Sequence, residues 1–134
     1  MVQLYRRQQP DFRNGSGRRT SAFYMQSNAT LPMNQWTHVA VTRAGTALTL
    51  YINGETDLVT NDVLVRNITT GNNIGRIGGW PDFGLNYFEG SIDEVRVWNV
   101  AKTLAQIKQT RVAYVYGAAN LTTYYTFDQE RPVE

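Results

Sequence analysis

Along most of this chain, apolar residues recur at every second position in short runs, which is the period of a half-buried strand. In "QWTHVAVTR" (35–43), Thr37, Val39 and Val41 fall on one face and Trp36, His38 and Ala40 on the other. "ALTLYING" (47–54) sets Leu48, Leu50 and Ile52 in register. Gly45 lies between these two runs and predicts a hairpin, since glycine takes positive φ at little cost. Asn53-Gly54 predicts a second reversal directly after it. Further strands are expected at 20–26, 57–65, 72–79 and 121–127. "WPDFGLN" (80–86) reads as a loop because Pro81 and Gly84 interrupt any ladder.

"YFEGSIDEVRVW" (87–98) predicts the longest strand. Its alternation carries an oddity, because Asp93 falls on the face of Val95 and Val97. One helix breaks the β pattern. Thr103 and Gln106 match a capping box, and Leu104 and Ile107 then share a face. So short a helix must be held by packing. Strands separated by turns, with one short helix, predict an all-β, antiparallel two-sheet sandwich.

Composition narrows this further. A length of 134 residues fits one domain. There is no cysteine, which removes disulfides and thiolate metal sites. A net charge of +2 gives no case for nucleic acid. The charge is uneven: residues 1–50 hold six arginines against one acid, Asp11. That start can be a solvated arm or a contact for an acidic partner. No apolar run reaches the about 20 residues of a membrane-spanning helix, and "MVQLYRRQQP" lacks the apolar core of a signal peptide.

Two stretches carry a resemblance. "NQWTHVAVTRAGTALTLYINGE" resembles the Trp-x-His-Val-Ala-x-Thr hairpin of laminin G-like domains of the concanavalin A-like jelly roll. "FEGSIDEVRVWNVAKTLAQIK" is similar to that family's closing signature, and "LTTYYTFDQE" to its final strand. Pentraxins share the layout more loosely. The likeness implies an antiparallel two-sheet jelly roll over residues 20–134, preceded by an arm or partial strand with a loop at 1–19. Family members usually open with further strands. Here either those are missing, or residues 2–6 stand in for part of them. A sandwich short of strands exposes an edge that other strands can join, so a homo-oligomer or a partner chain completing the sheet is expected.

The resemblance implies a lectin-like, non-catalytic module, secreted or at the cell surface, that engages a glycan or a protein. The alternative is a structural or self-assembly module. The loop "GRIGGWPDFGLNY" (75–87) sits where related domains place ligands. Trp80, Phe83 and Tyr87 would offer stacking faces there, and Arg76, Asp82 and Asn86 hydrogen-bonding groups. The bland reading is that Trp80 and Phe83 fold inward and pin the loop. Asp82 with Asn53 or Asp57 would be the start of a Ca²⁺ site, although such sites gather several acids. For Asp93 two roles stand open: a buried structural acceptor, satisfied by backbone N–H groups, His38 or a tyrosine, or a metal ligand. Enzymatic function is not expected. The paired-carboxylate signature of glycosidases on this fold is absent: Glu89, Asp93 and Glu94 come nearest, with Glu94 on the opposite face. His38, the single histidine, has no evident nucleophile beside it, since Thr37 and Thr42 read as ordinary strand residues.

Overall fold

Two glycine turns set the order of the larger sheet. Strand β2 (Trp36–Ala44) reverses through Gly45, φ 60°, into β3 (Ala47–Ile52), with Ala44 opposite Ala47. β3 reverses through Asn53 and Gly54, φ 51° and 80°, into β4 (Glu55–Asn61), with Ile52 opposite Glu55. Positive φ at both turn positions matches the right-handed twist of the strands they join. Asn53 is tied back to β2 as well: its N–H donates to the His38 carbonyl (2.8 Å) and its Oδ1 accepts the His38 N–H (3.0 Å).

The computed structural model describes residues 2–6, 25–61, 77–79 and 87–128. β1 (Val2–Arg6) is the strand that joins the two halves of the large sheet. It pairs antiparallel with β2, Val2 opposite Val39, and with β5 (Gly90–Asp93), Gln3 opposite Asp93. The order is β4-β3-β2-β1-β5, and β6 (Val95–Trp98) with β7 (Leu121–Tyr125) makes a second, antiparallel pair. Residues 2–6 therefore occupy an interior place in the sheet. Of the strands expected elsewhere, 62–65 and 72–76 lie outside the described residues. So do 20–24, and Met25 and Gln26 are not in a strand.

The long strand expected at 87–98 is two strands. Glu94 takes φ 54°, and the chain leaves the larger sheet as β5 and enters the smaller as β6. A non-glycine residue seldom adopts this region, and it ends the pleat. The regular alternation ends with it. Val95 is buried, but so is Arg96, and Val97 is exposed. Segment 107–113 covers the Arg96 face, where the guanidinium donates to the Thr110 and Ala113 carbonyls. Val97 borders an open groove of about 640 Å³ between β2, β6 and Ile107. β2 departs from simple alternation in the same way, with Thr37 and His38, on opposite faces, both buried.

The helix α1 (Leu104–Thr110) is short and is fixed at both scales. Thr103 Oγ1 accepts the Gln106 N–H (3.3 Å), and Gln106 Oε1 accepts the Thr103 N–H (2.9 Å). The pair satisfies two donors that the first turn leaves open. Ile107 is fully buried against Ala40 and Tyr51, which face each other across β2 and β3. A small residue opposite a large one leaves room for the isoleucine. Burying such a side chain contributes about 2 kcal/mol, more than a helix of this length loses by its own propensity.

Candidate functional site

The loop that the sequence marks for binding is closed at its neck. Gly79 bridges Tyr87 in antiparallel fashion, and the Phe88 N–H donates to the Gly78 carbonyl (2.8 Å). Gly78 is favoured there by its backbone, and Gly79 by a close contact. Gly78 has φ 81°, and a Cβ on it would stand 2.9 Å from Ile92 Cδ1. A Cβ on Gly79 would stand 3.1 Å from the Tyr87 ring. Tyr87 thus lies across Gly79 while staying 66% exposed. Arg76, Trp80, Asp82 and Asn86 lie outside the described residues, so Tyr87 alone of the expected ligand set is placed.

The other candidates are engaged in main-chain contacts. Asn53 Oδ1 takes the His38 N–H. Asp57 accepts the N–H groups of Asn28 and Ala29, one on each carboxylate oxygen at 2.8 Å. Among the described residues no three His, Asp or Glu side chains converge as a metal site would require. Ca²⁺ takes six to eight oxygens, and Asn53 and Asp57 as placed do not assemble such a set. Asp93 is half-buried, and its Oδ1 accepts the N–H of Glu94 at 2.8 Å. Its described partner is the next residue in the chain, not His38 or a tyrosine. That bond braces the backbone where it turns to positive φ.

A second constellation lies at the small sheet, and the sequence reading did not assemble it. Arg96, 4% exposed, forms an ion pair with Glu94. Tyr124 donates its hydroxyl to Glu94 Oε2 (2.6 Å), and the Arg96 guanidinium carbon stands 4.9 Å from its ring centre. Burial and the bond to the Glu94 carboxylate push the Tyr124 phenol up from its ordinary pKa. Tyr114 stands 6.1 Å from Tyr124, tilted by 59°, and 6.2 Å from Tyr116, nearly parallel at 22°. Glu94, Arg96, Arg111, Ala113, Tyr114 and Tyr124 line a cleft of about 240 Å³. "RVAYVYG" (111–117) carried a signal, two tyrosines one residue apart after a helix. Only the fold shows that they meet β7 and the kink at Glu94.

His38 is buried, and neither ring nitrogen has a hydrogen-bond partner among the described residues. Burial foremost, with nearby positive charge that includes Arg111 and Arg96, lowers its pKa from 6.5 to about 4. It is a neutral packing residue at pH 7, and among the described residues no hydroxyl bonds to it.

No curated protein matches this chain. Among solved structures, a candidate carbohydrate binding protein from Bacteroides ovatus ATCC 8483 is similar to it, with 31% sequence identity and a TM-score of 0.64. The likeness covers 81% of this chain and 32% of that one, so the chain spans about a third of that protein's length. A laminin G-type family model, described as the Concanavalin A-like lectin/glucanases superfamily, matches residues 1–108. That match takes in β1 and both hairpins, and the chain belongs to the Concanavalin A-like lectin/glucanases superfamily.

Proposed function

We propose that this chain is a non-catalytic carbohydrate-binding module that acts outside the cell or at its surface, with the 75–87 loop as a binding rim. The observation that carries the reading is Tyr87. It is held over Gly79 at the neck of the loop, with most of its surface open to solvent. A fixed, exposed aromatic face suits the C–H face of a sugar ring. Trp80, Arg76, Asp82 and Asn86 lie outside the described residues; by residue type Trp80 would add a stacking face and the other three groups for hydroxyls. The family match and the B. ovatus relative support a sugar as the ligand.

The carboxylates support a binding role over hydrolysis. Glycoside hydrolysis uses two carboxyl groups flanking one bond. Among the described residues, the cleft at the small sheet holds one, Glu94, and it is engaged by Arg96 and Tyr124, and the groove beside β2 has none in its lining. No described helix is long and apolar enough to cross a membrane.

Affinity electrophoresis through immobilised glycans tests the rim. Trp80→Ala and Tyr87→Ala are expected to run ahead of the wild type in a gel holding the bound glycan. Equal retardation of all three would remove the loop from the account. A chelator lane reports on Asp82: retardation lost on chelation and restored by Ca²⁺ would make it a metal ligand.

A further inference from the structure

We propose that the cleft between Tyr114, Tyr124 and Glu94 is a separate sugar subsite, and that it takes a uronic acid residue. The proposal rests on the carbohydrate-binding reading and adds a second place and a chemical class. Three observations carry it. Tyr114 and Tyr116 are 77% and 76% exposed, yet they stack on each other, so solvent-facing rings are held in one arrangement. Rings buttressed in this way form a platform that loses little freedom when a sugar stacks on it. The cleft beside them is shallow, with room for one pyranose residue.

The charges choose the sugar. Among the described residues, Arg96 and Arg111 border the cleft with one carboxylate, Glu94. Glu94 is paired with Arg96 and Tyr124, which leaves the charge of Arg111 in excess. Arg111 is half-buried as a whole, although its Nε is buried on the side of Gly54. A planar, forked guanidinium matches a planar carboxylate better than a hydroxyl. A uronate supplies a carboxylate on a ring whose C–H face can lie on Tyr114.

Calorimetric titration of the full chain with an oligogalacturonide, and with a cello-oligosaccharide as neutral control, tests this. Tyr114→Ala and Arg111→Gln are each expected to weaken oligogalacturonide binding by about tenfold. Unchanged melting curves would show that both variants are folded. Unaltered affinity in both variants, with binding removed by Trp80→Ala, would overturn the subsite and leave the module reading standing. A wild type that binds only the neutral sugar, weakened by Tyr114→Ala, would overturn the uronate assignment. A Tyr114→Ala change that alters molecular size in solution but not sugar binding would make the tyrosines a protein contact and overturn the subsite. Binding of neither sugar nor any other glycan would overturn both readings.

Discussion

Glu94 and Arg96 are an ion pair that spans a change of sheet. Glu94 turns the backbone at φ 54°, and Arg96 is buried two residues later in β6, the first strand of the small sheet. The guanidinium also bonds to the carbonyls of Thr110 and Ala113, so one side chain ties the kink to the segment that follows α1. Removing it leaves the Glu94 carboxylate with the Tyr124 hydroxyl and takes a donor from two carbonyls. Arg96→Met should cost about 3 kcal/mol in urea denaturation. Tyr124→Phe, which removes one hydroxyl from the same network, should cost about 1 kcal/mol. The double variant Glu94→Gln with Arg96→Met should cost less than the sum of the singles, because the second change removes a charge that the first left unpaired.

Asp93→Ala should destabilise by about 2 kcal/mol, since the Glu94 N–H loses its acceptor at a residue already in an unfavourable conformation. Asp93→Asn keeps an oxygen at that place and should recover most of the loss. Equal melts for Asp93→Ala and wild type would show that the bond contributes nothing.

Gly54 has φ 80°, and a Cβ there would stand 3.1 Å from Lys108 Cγ on α1. Gly54→Ala should therefore cost about 1 to 2 kcal/mol, from backbone strain together with displacement of the helix. The Lys108–Glu55 ion pair beside it is exposed on both sides. Lys108→Ala should change stability by no more than about 0.5 kcal/mol.

His38 makes stability depend on pH. Its folded pKa, about 4, lies below the ordinary 6.5, so the unfolded chain binds the proton more readily. The contribution is complete above pH 6.5 and is lost as pH falls toward 4. By pH 5 about 2 kcal/mol should be gone. Denaturation midpoints measured at pH 7 and pH 5 should converge in His38→Gln relative to the wild type. An equal fall in both proteins would assign the acid sensitivity to other groups.

What could be read from the sequence was local. Gly45, Asn53-Gly54 and the Thr103–Gln106 box act on their own neighbours, and each is where the spacing puts it. The break at Glu94 was hidden because glutamate is not a residue that announces positive φ; its one trace in the sequence was Asp93, a carboxylate out of step with Val95 and Val97. The interior place of β1 was hidden for a different reason. Pairing Gln3 with both His38 and Asp93 depends on contacts across most of the chain. The tyrosine cleft is non-local in the same sense, since Glu94, Tyr114 and Tyr124 meet only once the small sheet has formed. The loop residues were picked by type, and among them the described structure speaks to Tyr87 alone.

The most direct measurement is a glycan array probed with the wild-type chain. A carbohydrate-binding module predicts concentration-dependent signal confined to a related group of glycans, diminished in Tyr87→Ala. Absence of signal on every glycan, with and without added Ca²⁺ and from protein shown to be folded, would contradict it.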